Sequence, residues 1–141
     1  MIYLDNAATT KLKKKALDAM LPLFTEEYAN PSAVYLEAGK ARWKMEEARE
    51  VFAEGLNCDR DEIFFTSGGT ESDNWALFGA AEALKEKGRH LITQKTEHHA
   101  VLNACKNLEK KGFQVTYLDV DPEGVLDPKE LERALRPDTI L

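Results

Sequence analysis

The densest chemistry in the chain lies in Phe65-Thr66-Ser67-Gly68-Gly69-Thr70-Glu71-Ser72. Two adjacent glycines let a backbone approach a ligand closely and adopt conformations barred to other residues. The helix predicted directly after them presents free N–H groups and the positive end of its dipole, a combination that favours an anion. Thr70 and Ser72 add hydroxyl donors for a phosphate oxygen. A plain glycine turn with Thr70 as an ordinary helix cap is the other reading, and position alone leaves both open. The segment is neither a Gly-Lys-Ser/Thr phosphate loop nor a G-x-G-x-x-G fingerprint, so mononucleotide and dinucleotide binding both lose ground.

Glu97-His98-His99 falls at the next predicted strand-to-helix junction, on the same edge of the sheet, where ligands gather in parallel α/β folds. An imidazole there can stack on a flat ring or move protons near neutral pH. Adjacent helical residues diverge by about 100°, so His98 and His99 make a poor metal pair, and no zinc-like spacing surrounds them. Two solvated imidazoles at a polar helix start are the alternative. Asp5-Asn6-Ala7-Ala8-Thr9-Thr10 is too polar for a core strand and could line a pocket or form a simple turn. Cys58 sits in a loop and could be exposed, whereas Cys105 reads as a small buried hydrophobe. Trp43 and Trp75 read as packing residues.

The elements that must position these groups follow from periodicity. A helix is predicted from about Lys13 to Leu23, then a loop with Asn30-Pro31-Ser32 as its turn. A second helix carries Ala38, Ala41, Met45, Ala48 and Phe52 as one apolar stripe. Ile63-Phe64-Phe65-Thr66 reads as a buried strand, followed by a helix from Glu71 to Lys87. A strand His90–Thr93 comes next, then a helix Glu97–Lys111 capped by Thr96 and closed by Gly112. Gln114–Leu118 is a further strand, Pro128–Leu135 a further helix, and Asp138–Leu141 the start of another strand. Such alternation implies an α/β fold with a mostly parallel sheet and flanking helices. The expected division is an N-terminal helical segment, 1–60, and the start of an α/β domain, 61–141.

Composition narrows the function classes. The 141 residues carry 19 Lys+Arg against 25 Asp+Glu, a formal charge of −6, which argues against a nucleic-acid groove. The Lys11–Lys15 cluster is short and reads as a solvated face. A hydrophobic fraction of 43% with 31% charged residues is ordinary for a folded soluble chain, and no apolar run approaches the roughly 18 residues of a membrane span. Two distant cysteines and an early Asp5 point to a reducing, cytoplasmic setting without a disulfide framework.

Taken together, Tyr3-Leu4-Asp5-Asn6-Ala7-Ala8-Thr9-Thr10, Asn30-Pro31-Ser32, Phe65 to Asn74, Glu97-His98-His99-Ala100-Val101-Leu102 and the Gly112–Leu118 strand resemble the cysteine desulfurases of the NifS/IscS type. The resemblance runs from end to end. It implies part of the large domain of a fold-type-I transferase dependent on pyridoxal 5'-phosphate (PLP), and a homodimer that takes sulfur from L-cysteine, leaving alanine and an enzyme persulfide. The sulfur would pass to an acceptor such as an iron–sulfur scaffold, with no membrane or nucleic-acid partner. It further implies that Gly69 and Thr70 hold the PLP phosphate, that His98 stacks on the pyridine ring and assists proton transfer, and that Asn6 and Ala7 lie near the substrate; no metal is implied. Tyr35 stands where the family commonly carries histidine, and Asp73 where asparagine is usual. The PLP-binding lysine and persulfide cysteine match nothing here, Lys95, Cys58 and Cys105 included. The chain is therefore expected to be a truncated, N-terminal portion that is inactive alone. Rival readings are another fold-type-I PLP enzyme, such as an aminotransferase or selenocysteine lyase, and a truncated paralogue serving as a binding or assembly partner.

Overall fold

A computed structural model describes residues 2–141. The chain divides into two compact units, Met1–Phe64 and Phe65–Leu141.

The first unit holds two helices, α1 (Lys14–Thr25) and α2 (Leu36–Leu56). Between them Asn30 Oδ1 accepts from the Ser32 N–H at 2.9 Å, the side-chain mimic of a turn that Asn-Pro-Ser predicts. Arg42 pins that turn from α2, donating to the carbonyls of Pro31 (3.1 Å) and Ala33 (3.0 Å). Asn57 ends α2 in the left-handed region, φ 54°, which asparagine tolerates better than most residues. The predicted stripe of α2 is only partly buried: Ala38 is buried and Ala41 half-buried, but Met45, Ala48 and Phe52 are exposed, while Ala53, outside the stripe, is buried.

Two further expectations change. Ile63-Phe64-Phe65-Thr66 is not a strand; Ile63 is extended (φ −95°, ψ 122°), but the segment lies outside the β1–β2 sheet, and Phe64 and Phe65 are exposed. Its composition predicts extended backbone, and composition alone does not set ladder membership. Trp43 and Trp75 are not core residues either; both are more than half exposed.

The second unit runs α3 (Gly69–Leu84), β1 (His90–Gln94), α4 (His99–Lys110), β2 (Gln114–Leu118) and α5 (Pro128–Ala134). β1 and β2 are parallel, in a register from His90 opposite Gln114 to Gln94 opposite Leu118. On the other side of β1 the 138–141 segment adds in parallel: His90 N–H donates to Asp138 O, Ile140 N–H to His90 O and Ile92 N–H to Leu141 O. The expected start of a further strand is therefore present. Side chains alternate across a sheet, so Leu91, Val115 and Tyr117 share one face. Leu91 there meets Leu108 of α4, Ala81 of α3 and Phe113, with Leu77, Phe78, Val115 and Ile140 around them.

Two glycines are required by this packing. Gly112 closes α4 at φ +87°, where any side chain would be strained. At Gly88 a Cβ would run into the backbone of Asp138, so only glycine lets the turn before β1 lie against the third strand.

Opposite the core face, His90 is fully buried. Its Nδ1 lies 2.7 Å from Thr139 Oγ1 and its Nε2 lies 2.8 Å from Thr116 Oγ1. One imidazole thus joins all three extended segments. Thr139 Oγ1 also accepts from the Arg136 N–H at 2.8 Å, which ties the imidazole to the turn before the 138–141 segment. Burial, and secondarily Arg136, holds the His90 pKa below the ordinary value, with Asp138 opposing.

Candidate functional site

Within the second unit, connectivity sets where the candidate residues lie. α3 ends a short turn before β1 begins, and α4 starts just after β1 ends. Both helices therefore begin at the edge where the strands finish, the usual ligand edge of a parallel α/β sheet.

At the start of α3, Gly68 is the N-cap residue and Gly69 the first helical one, two residues earlier than the sequence predicts. Gly68 is extended (φ 162°, ψ 176°), a backbone any residue can adopt, so the expected forbidden conformation is not used. What the pair contributes is the missing Cβ: open space surrounds the place a Cβ would occupy at both positions. The N–H groups of Gly69 and Thr70 have no backbone acceptor among the described residues, as the first turn of a helix dictates. The exposed Thr70 hydroxyl adds a donor beside them. This is an anion-binding geometry, and it fits a phosphate group.

Other side chains shape the approach. Glu71 accepts from the Ser67 N–H and the Ser67 hydroxyl, both at 2.7 Å. Those two bonds hold its carboxyl below the usual carboxylate range. Thr66 and Ser72 share a hydroxyl–hydroxyl bond of 2.7 Å, and Thr66 Oγ1 also donates to Gly68 O at 3.2 Å. Ser72, expected to face a phosphate, is engaged with Thr66 instead.

At the start of α4, the cap is His98 itself rather than Thr96: its Nδ1 accepts from the Ala100 N–H at 3.1 Å. Thr96 lies too early because the helix begins at His99, not Glu97. Since Nδ1 is the acceptor, a neutral His98 ring carries its proton on Nε2. The His98 and His99 rings are exposed, with centroids 6.2 Å apart and a 47° tilt. No group of His, Cys, Asp and Glu able to hold a metal occurs among the described residues. Lys95, at the end of β1, pairs through Nζ with Asp119 at 2.7 Å, beyond the end of β2. Cys105 is buried, and burial pushes its thiol pKa up.

Asn6 and Ala7 belong to the first unit, in an exposed turn where the Ala8 N–H donates to Asp5 O at 3.2 Å. In that unit Cys58 is half-buried and lines an acidic hollow of about 410 Å³ with Glu50, Glu54 and Asp59. The sequence reading missed Glu71, which lies four residues after Ser67 rather than at the three-residue spacing of a capping box, and His90, which reads there only as a strand residue.

The aminotransferase class-V profile matches residues 2–141. The chain is 54% identical over 140 residues to the cysteine desulfurase IscS of Dictyoglomus turgidum, covering 99% of this chain and 36% of that protein. It superposes on a solved NifS-like protein with a TM-score of 0.92 and 42% identity, over 98% of this chain and 38% of the other. Against SspA in complex with cysteine the TM-score is 0.89 at 43% identity, over 97% and 40%. The chain thus spans a little over a third of the length of these relatives.

Proposed function

The chain belongs to the aminotransferase class-V family, and from that premise we propose that the whole protein is a PLP-dependent cysteine desulfurase. It would transfer sulfur from L-cysteine to an enzyme thiol, yielding alanine and a persulfide, so that the sulfur atom moves and the carbon skeleton is released with hydrogen in its place. The observation that carries this reading is the start of α3. Two open glycines, two N–H groups lacking a backbone acceptor and a threonine hydroxyl stand together there, in a chain half identical to a cysteine desulfurase.

In this reading the Gly69 and Thr70 N–H groups and the Thr70 hydroxyl hold the cofactor phosphate. His98 offers its ring face to the pyridine and holds or releases a proton at Nε2, because Nδ1 is tied to the Ala100 N–H. Asn6 and Ala7 contribute to the substrate side. Lys95, engaged with Asp119, serves the sheet edge rather than covalent cofactor attachment. When bound, PLP supplies the electron sink that makes the carbon–sulfur bond of cysteine breakable. The protein is cytoplasmic and homodimeric, and it passes sulfur to an acceptor such as an iron–sulfur scaffold.

The test uses the full-length protein after gel filtration in PLP. Retention of one PLP per chain, together with cysteine-dependent alanine formation, is the expected result. Retained PLP with no alanine would replace desulfuration by another PLP-dependent reaction.

A further inference from the structure

We propose that Glu71 is a positioning residue for the cofactor phosphate: its carboxylate clasps Ser67 and fixes the 66–68 turn in the shape that leaves the first N–H groups of α3 open. The proposal rests on the reading that this helix start holds the PLP phosphate.

Gly68, the N-cap residue, has no side chain to satisfy the first helical donors. A glycine pair at such a place would sample many conformations, and fixing them on binding would weaken affinity. Two clasps within the same short segment remove that freedom beforehand. Glu71 takes both donors of Ser67, at 2.7 Å each, while the Ser72 hydroxyl donates to Thr66 Oγ1. Both bonds to Glu71 go to a carboxylate, which makes them shorter and stronger than neutral ones. Neither clasp uses the Gly69 N–H, the Thr70 N–H or the Thr70 hydroxyl. The turn is thus shaped entirely by groups that do not compete with an anion for its donors.

This role depends on an acceptor in the right place rather than on negative charge, which by itself would repel a phosphate. Glutamine keeps an acceptor oxygen for Ser67 and drops the charge; alanine drops both. In the full-length apoprotein, PLP binding by equilibrium dialysis is compared for wild type, Glu71→Ala, Glu71→Gln and Thr70→Ala, with thermal unfolding of each. The expected result is at least about tenfold weaker binding in Glu71→Ala and near-complete rescue in Glu71→Gln, with unfolding temperatures close to wild type. If Glu71→Ala does not fold, Ser67→Ala carries the same test by deleting one of the two bonds, and weaker binding is again expected. Unchanged binding in Glu71→Ala, or in Ser67→Ala as its substitute, overturns the proposal, as does equal loss in the Gln and Ala variants. Weaker binding in Thr70→Ala alongside unchanged Glu71→Ala would remove only the clasp. Unchanged binding in Thr70→Ala would remove the phosphate site and the clasp with it.

Discussion

Replacing His90 by leucine isolates the bond network that ties three extended segments together. Leucine keeps the site filled but removes the ring bonds to Thr116 and Thr139. Two neutral hydrogen bonds contribute about 1–3 kcal/mol, and Thr116, left without its partner, adds about 1 kcal/mol or more. Thr139 keeps the Arg136 N–H, which limits the loss on that side. The sum is about 2–4 kcal/mol, or roughly 1.5 to 3 powers of ten in an opening equilibrium. The Ile140 amide reports that opening directly, because it donates to the His90 carbonyl at 2.8 Å. Its hydrogen-exchange protection factor should fall by that ratio in His90→Leu. The wild type adds a pH signature. The native pKa of His90 lies below the ordinary 6.5, so well above pH 6.5 the ring is neutral both folded and unfolded and protection is flat. As pH drops below 6.5 the opened state takes up a proton that the native ring refuses, and protection declines until the native ring itself protonates. Arg136 strengthens and Asp138 weakens this effect. Protection of Ile140 equal in both proteins, or an acid decline that persists in His90→Leu, would refute the reasoning.

Three other perturbations follow from the same geometry. Thr70→Ala removes a hydroxyl donor to a phosphate, worth about 1.5–3 kcal/mol for a charged partner, so PLP retention on dialysis should drop by about tenfold or more; full retention would contradict the assignment. His98→Ala should weaken PLP retention and also cost about 1 kcal/mol of stability through the lost helix cap. His98→Asn should restore the stability but not the retention, and recovery of both would deny the ring any part in cofactor binding. Leu108→Ala empties a fully buried position between Ala81, Leu91 and Phe113 and should cost about 2–5 kcal/mol in denaturant unfolding; a cost under about 1 kcal/mol would mean that this core collapses around the gap.

Local signals made most of the second unit legible from sequence. The Gln114–Leu118 strand, the closing Gly112 and the helix after Asp127 all follow from nearest-neighbour chemistry, and the structure realises each. What sequence could not reveal depends on partners. Ile63–Thr66 has the composition of a strand but is not part of the β1–β2 sheet, and much of the stripe of α2 is exposed. The cap of α4 was misplaced by two residues, because a histidine accepting through Nδ1 is a rarer cap than a threonine. At the site, Gly69 and Thr70 were visible from their place before a helix. Glu71 and His90 were not, since their parts lie in bonds to Ser67 and to two threonines brought in by the fold.

The most direct test of the central claim is a single-turnover experiment on the full-length protein loaded with PLP and given one equivalent of L-cysteine. Alanine is quantified, and the intact protein is weighed under non-reducing conditions. The account predicts one alanine per active site together with a protein heavier by one sulfur atom. Alanine formed without that added sulfur, or no alanine at all, would contradict it.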